Sequence, residues 1–224
     1  MSTENNEQNP VVKTENKEYY YAVQNGKKFL KRRPVKRNSK EWSEEQRAVR
    51  TRFTAITTFA SKNLENLIHP IWKFYKEKGI SGYPLFMKHI KTAFGSNGSI
   101  IDYTLLPVTM GTLTPALNVI VKTVVVENSE TDVNEKQDDS FDISWENEEP
   151  TPHSMLYDFL SYALIDENEK VHLFYTDTYR KEKQIRITLK DKYKYANYIY
   201  IFFSNKELTK FSNSVAAKLF QTKN

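Results

Sequence analysis

The side chains of this chain that could do chemistry are four histidines, His69, His89, His153 and His172, and a cluster of carboxylates. Histidine shuttles protons or ligates metals, but a zinc site needs its ligands at a spacing that brings them to one face. The four lie on separate elements, with neither H-x-x-x-H nor H-x-x-E-H spacing. They are expected as packing or surface residues. Asp138, Asp139 and Asp142, with Glu146, Glu148 and Glu149 nearby, could chelate calcium, yet the D-x-[DN]-x-[DN]-G loop pattern is absent and a solvated acidic face is expected instead. Gly95-Ser96-Asn97-Gly98-Ser99 is glycine-rich but has no lysine to reach a phosphate and follows a helical pattern, so it reads as a linker. No G-x-S-x-G occurs, and the absence of cysteine removes thiolate zinc sites, disulfides and cysteine nucleophiles together. No catalytic, cofactor-binding or metal residue is expected, and the chain reads as a non-enzyme.

What stands out instead is a separation of charge. Lys27 to Arg52 carries eleven Lys or Arg against three Glu, whereas Glu127 to Glu149 carries ten Asp or Glu against Lys136 alone. The net charge of +5 averages over these two blocks and says little. Opposite charges concentrated in two places, without reactive residues, point to binding or assembly. Lys28, Lys31, Arg32, Arg33, Lys36 and Arg37, flanked by Tyr19, Tyr20 and Tyr21, form the expected partner-binding set. An acidic protein surface is the favoured ligand. The alternative is nucleic acid, because basic side chains interleaved with aromatics suit a backbone-tracking, base-stacking contact.

The elements that must hold this set follow from local pattern. Residues 1–18 are polar and too poor in apolar groups to offset the entropy of ordering. Tyr19 to Val23 and Lys28 to Leu30 flank Asn25-Gly26, the preferred two-residue hairpin turn. Pro34 keeps the following basic stretch extended. Ser43-Glu44-Glu45-Gln46 is a capping box that starts a helix, with Val49, Phe53, Ile56 and Ala60 on one stripe. Leu64 to Tyr75 stays helical with a break at Pro70, and Leu85, Phe86, Ile90 and Phe94 give a second stripe closed by Gly95. Beyond Gly98 come seven runs rich in β-branched and aromatic residues, 101–108, 117–126, 140–145, 155–165, 171–175, 184–189 and 198–203. Seven short strands in about 110 residues predict an immunoglobulin- or fibronectin-like antiparallel sandwich. The fold class is therefore α+β, divided into a basic arm with a hairpin (1–40), a helical module (41–97) and a β-sandwich domain (98–224). The acidic segment from Glu127 to Asp139 becomes a solvated excursion between strands.

The segment from Gln24 to Pro34, followed by Trp42 to Arg47 and Arg50 to Phe53, resembles the opening of a family of Bacteroidetes proteins of unknown function. In that family a short G-x-x-x-x-R-x-x-P element, with Lys31 here at the arginine place, precedes S-x-x-Q-x-x-x-R-x-x-F and a helical pair. The β-rich half then opens with a G-x-L turn, here Gly111-Thr112-Leu113, and the resemblance runs from about residue 20 to 214, including Ser212-Asn213-Ser214. The chain has an Asn/Glu-rich arm where the family has a glycine-rich lead. The resemblance implies a Bacteroidetes or phage host range and a helical-plus-β architecture, and carries no catalytic residue across.

Taken together, these features predict a structural or assembly protein, most concretely a phage virion component such as a capsid-decorating, head-tail ring or connector subunit, working through protein contacts. No basic n-region with an apolar core opens the sequence and no apolar run approaches a membrane span, so the expected location is the virion, assembled in the host cytoplasm, with no membrane partner. A surface adhesion module is the further alternative.

Overall fold

The computed structural model describes residues 19–24, 26–34, 42–75, 77, 79–124, 140–147, 151, 155–190, 193 and 196–219. The chain divides into two compact units, Met1–Glu44 and Glu45–Asn224. In the first, β1 (Tyr19–Gln24) pairs antiparallel with β2 (Lys27–Arg32). Gly26 takes φ +73°, which the tight turn requires and which a residue with a Cβ adopts only under strain. The expected arm at residues 1–18 and the basic residues Lys36 and Arg37 lie outside the described residues, as does the acidic segment Glu127 to Asp139.

The second unit is built on α1 (Glu44–Lys62), which begins one residue after Ser43. Its buried face differs from the predicted stripe. Ile56, Phe59 and Ala60 are buried, but Val49 is 68% and Phe53 58% exposed. The packed side of the helix runs through Arg52, which donates to the Lys91 carbonyl, then Phe59 and Asn63; at 100° per residue this places Phe53 on the flank. After Lys62 the chain tightens and loosens in turn, through a π-helical turn at Leu64–Ile68 and a 3₁₀ turn at Trp72–Phe74 on either side of Pro70. α2 (Gly82–Ile90) buries Leu85, Phe86 and Ile90. It ends in a 3₁₀ turn at Lys91–Ala93, so Gly95 is not its left-handed terminator. A Cβ at Gly95 would stand 2.8 Å from Cγ2 of the exposed Ile101 side chain, which would have to shift to admit it.

Seven further strands follow: β3 (Leu117–Val124), β4 (Ser140–Glu146), β5 (Phe159–Ile165), β6 (Val171–Tyr179), β7 (Gln184–Thr188), β8 (Tyr198–Ser204) and β9 (Val215–Lys218). They make a three-stranded sheet in the order β3-β4-β7 and a four-stranded sheet in the order β6-β5-β8-β9, antiparallel throughout. The predicted strand at 101–108 is instead a 3₁₀ turn, Tyr103–Leu105, capped by Asp102, whose carboxylate accepts from the Thr104 amide (2.8 Å). β9 was not among the predicted runs. The fold is thus mixed α+β with antiparallel sheets.

The central strands of the four-stranded sheet, β5 and β8, are buried on both faces, which explains why β8 (YIYIFFS) is apolar almost throughout. Ile199, Ile201 and Phe203 face Phe141, Ile143, Trp145 and Ile187 of the other sheet. Tyr200 and Phe202, with Ala163 and Ile165 of β5, face Phe59, Leu67, Trp72, Phe86 and Ile90 of the helical segments. The helical stretch and the β-rich stretch therefore share one core. Polar pins cross it. Trp72 Nε1 donates to the Val108 carbonyl (3.0 Å), and the Tyr200 hydroxyl donates to the Tyr103 carbonyl (2.8 Å). Asn63, fully buried, donates to the Phe59 and Glu169 carbonyls (3.0 Å each) and accepts from the Val171 amide (2.7 Å). At the far side of the second core, Arg180 lies 3.7 Å above the Phe203 ring and 3.3 Å from the Asp158 carboxylate.

Candidate partner-binding hairpin

The hairpin register decides what each face of β1 and β2 presents. Side chains alternate across a strand, and the pairs Tyr19↔Arg32, Tyr21↔Leu30 and Val23↔Lys28 share one face, while Tyr20↔Lys31 and Ala22↔Phe29 share the other, with Lys27. Each face therefore carries apolar or aromatic groups set directly across from cations. On the first face Val23 is 67% and Leu30 56% exposed; on the second, Phe29 and Tyr20 are exposed. Lys28, Lys31, Arg32 and Arg33 are exposed, and residues 19–34 contain no carboxylate to pair with them. The predicted site residues Tyr19, Tyr20, Tyr21, Lys28, Lys31, Arg32 and Arg33 are thus brought together on one small ribbon. Lys36 and Arg37 are outside the described residues.

Such a ribbon can bind in two ways. Its cations sit in water, free to neutralise an acidic surface. Its apolar side chains, uncovered on both faces, would leave water if a partner closed over them, at about 25 cal/mol per Å² buried. A two-stranded hairpin is at best marginally stable alone, and its outer edges carry backbone groups able to extend a sheet.

The remaining reactive side chains are engaged locally. The His69 Nδ1 lies 3.1 Å from Glu65, one helical turn away, and His89 packs against the Trp72 ring with centroids 6.0 Å apart. His172 Nε2 meets the Asp166 carboxylate at 2.9 Å and its ring stands edge-on to Tyr193; His153 is outside the described residues. Partial burial would raise the Asp166 carboxyl, but the His172 ring and the Lys170 and Asn168 amides outweigh it and hold the group below its ordinary value. Asp142 faces the Arg186 guanidinium through two bonds of 2.7 and 2.8 Å, which holds that carboxyl low and occupies both its oxygens. Asp138, Asp139, Glu148 and Glu149 lie outside the described residues. Among the described residues no three His, Asp or Glu come together in a metal-ligating group. The glycine-rich segment closes on itself, Gly95 N–H to the Ser99 carbonyl (2.8 Å), Gly98 N–H to the Gly95 carbonyl (3.1 Å) and Ser99 N–H to Asn97 Oδ1 (3.1 Å), so these amides already have acceptors.

Sequence reasoning missed a second surface feature, an open groove of about 350 Å³ along β6, lined by Asn66, Pro70, Leu173, Phe174, Tyr175 and Tyr193. It joins residues from three distant stretches, so no local pattern announces it. Among the described residues no helix is long and apolar enough to cross a membrane. No family model, no curated protein and no solved structure matches the chain.

Proposed function

We propose that this chain is a non-catalytic assembly protein that associates through its basic hairpin with an acidic protein surface, in the setting of a phage particle where it serves as a capsid-decorating, head-tail ring or connector subunit. The hairpin carries this reading. Both faces set rings beside cations, an arrangement a nucleic acid could also use, but the aliphatic Val23 and Leu30, 67% and 56% exposed, offer a base nothing to stack on and suit a protein surface that takes them out of water. The virion setting rests on the resemblance to Bacteroidetes proteins, and so does membership of that family.

The body supports the same reading at the level of fold. Counting strands from β3, the first, second and fifth form one sheet and the third, fourth, sixth and seventh the other, which is the strand distribution of a fibronectin-like sandwich in the immunoglobulin class. We take the β-rich part as such a module with one face covered by helices. Sandwiches of this kind recur in binding and scaffolding proteins, and the function is argued from the hairpin, not from the fold.

Sedimentation velocity of the purified chain tests the proposal. Association should be present at about 50 mM salt and weaken at about 500 mM, since the Debye length falls several-fold over that range. The quadruple variant Lys28→Glu, Lys31→Glu, Arg32→Glu, Arg33→Glu should remain folded and stay monomeric. A wild-type chain that never associates, yet binds random-sequence DNA with an affinity that falls by orders of magnitude between about 50 and 200 mM salt, would transfer the hairpin to nucleic acid.

A further inference from the structure

We infer that the acceptor of the hairpin is the free edge of β6 in a second copy of this chain, where β2 adds as a fifth strand to the sheet β6-β5-β8-β9. This inference rests on the assembly reading above and names its partner.

β6 lies at the outside of its sheet, paired with β5 alone. The direction of its backbone groups can be read from two bonds. Asp166 N–H donates to the Lys170 carbonyl across the β5–β6 turn (3.0 Å), so Lys170 and the residues two and four beyond it point toward β5. Val171 N–H points the other way, where Asn63 Oδ1 accepts it (2.7 Å). By alternation Leu173 and Tyr175 also present their N–H and C=O groups outward, and among the described residues nothing pairs with them. Among the described residues the edge is thus capped at its first outward amide and unpaired at Leu173 and Tyr175.

This opening is a groove with walls. Asn66, Pro70, Lys170 and Tyr193 line it together with β6 from Val171 to Tyr175. Sheet edges are ordinarily blunted by lysine, proline, bulges or shortness. The other three edges follow that rule: β9 has four residues, β7 has five, and β3 is interrupted by a register shift at Leu117/Ile120 with Asn118 at φ 47°. β6 has nine residues, VHLFYTDTY, with no Pro, Lys or Arg and no positive φ; its register against β5 shifts only beyond Tyr175, so its regular edge runs from Val171 to Tyr175.

The hairpin matches this edge in length, polarity and charge. β2 is six residues, KKFLKR, an apolar pair between two pairs of cations. The β6 region places Phe174 and Tyr175 between Asp166, Glu167 and Glu169 on one side and Asp177 on the other; Asp166 meets His172 (2.9 Å) and Glu169 meets Lys62 (3.4 Å), so Glu167 and Asp177 are the carboxylates that the hairpin cations would answer. The pair Gln24↔Lys27 beside the turn exchanges its bonds, so Lys28, Leu30 and Arg32 are the residues of β2 that present backbone groups outward; laid antiparallel, Leu30 falls opposite Tyr175, Arg32 opposite Leu173 toward the acidic turn, and Lys28 opposite Asp177. Because donor and acceptor surfaces are different, each copy can give and receive once. A heterologous contact of this kind closes into a ring or propagates as a filament.

Two measurements test the inference. The chain has no cysteine, so engineered thiols are the only ones present. Equimolar mixing of a Tyr175→Cys chain with a Leu30→Cys chain under mild oxidation should give a mixed disulfide dimer in several-fold excess over either homodimer, because bridging needs Cβ atoms within about 4.5 Å. Tyr175→Pro removes an outward donor while leaving the bonds to β5, and should weaken association by at least about tenfold with the melting temperature little changed. Absence of the mixed dimer, or a folded Tyr175→Pro chain that associates like wild type, would overturn the β6 assignment while the assembly reading stands if hairpin charge reversal still abolishes association. A wild-type chain that is monomeric throughout would sink both.

Discussion

Gly111 and Phe211, a hundred positions apart in sequence, are in direct backbone contact: a Cβ built on Gly111 would overlap the Phe211 carbonyl oxygen and reach 3.0 Å from the Tyr75 hydroxyl. Around them two segments interlock. Leu113 N–H donates to the Phe211 carbonyl (3.1 Å), the Thr109 hydroxyl to the Ser212 carbonyl (2.7 Å), and Gly111 N–H to Asn213 Oδ1 (3.0 Å). Ser212 also reaches back into the sheet, its hydroxyl accepting from Phe203 N–H (2.9 Å). The entry to β3 is in this way clamped to the β8–β9 connection. Gly111→Ala is expected to force these backbones apart and destabilise the chain by about 1–3 kcal/mol or more, read as a shift of the urea midpoint. A variant that melts with wild type would show that the clamp relaxes freely.

Asn63 joins the end of α1 to the β5–β6 turn through three bonds from one buried side chain. Asn63→Ala leaves the Val171 amide and the Glu169 carbonyl without these partners, and about 1–3 kcal/mol should be lost for each group that stays buried. Asn63→Asp tests the polarity of the bonds. It keeps the acceptor toward Val171 and turns the donor end into a carboxylate facing two carbonyls, so it should be at least as damaging as alanine by thermal melting.

Tyr200 lies in β8, which is buried on both faces, and it is fully buried itself. Burial raises its hydroxyl pKa far above the usual tyrosine value, so it remains a neutral donor to Tyr103 at any working pH. Tyr200→Phe should cost about 1 kcal/mol, the worth of one hydrogen bond. Tyr200→Asp places a carboxyl in the same apolar surroundings and should cost several kcal/mol, enough to abolish the cooperative transition. A soluble aspartate variant with unchanged melting would refute the two-sided burial of β8.

Acid should weaken the fold. Glu77 is held below its ordinary pKa by a hydrogen bond from Lys88, Asp102 by the Thr104 hydroxyl and amide, and Asp142 by Arg186. A carboxyl with a folded pKa below its unfolded one stabilises at pH values above the unfolded pKa, and the contribution disappears as pH falls through the folded pKa. Asp158 has the opposite sign, because burial raises its carboxyl despite the nearby Arg180. Asp166, which partial burial would raise but His172 and the Lys170 and Asn168 amides hold low, makes a fourth lowered carboxyl; with four groups on one side and one on the other, melting temperature should be flat from neutral pH to about 5 and fall below about pH 4. Asp142→Asn should make that fall shallower.

Local chemistry was legible in the sequence wherever a few neighbouring residues suffice. Asn25-Gly26 specified the hairpin turn, Ser43 to Gln46 the start of α1, and the alternating or continuous apolar runs six of the seven strands from β3 to β9. Tertiary structure decided the rest. The run 101–108 is apolar and β-branched, but a strand needs an edge to pair with, and here the carbonyls of Tyr103 and Val108 instead accept from Tyr200 and Trp72. β9 (VAAK) has weak strand propensity and becomes a strand because β8 offers it a ladder from Tyr198 to Ile201. The stripe on α1 was read one flank away from its true centre, because the angle at which a helix meets its neighbours is set by those neighbours. The basic, aromatic composition of the hairpin could be read directly, but which side chains share a face depends on register. The groove on β6 depends on contacts among residues 66, 70, 173 and 193. Propensity and turn chemistry act over a few residues, whereas burial, register and edge exposure are properties of segments brought together from across the chain.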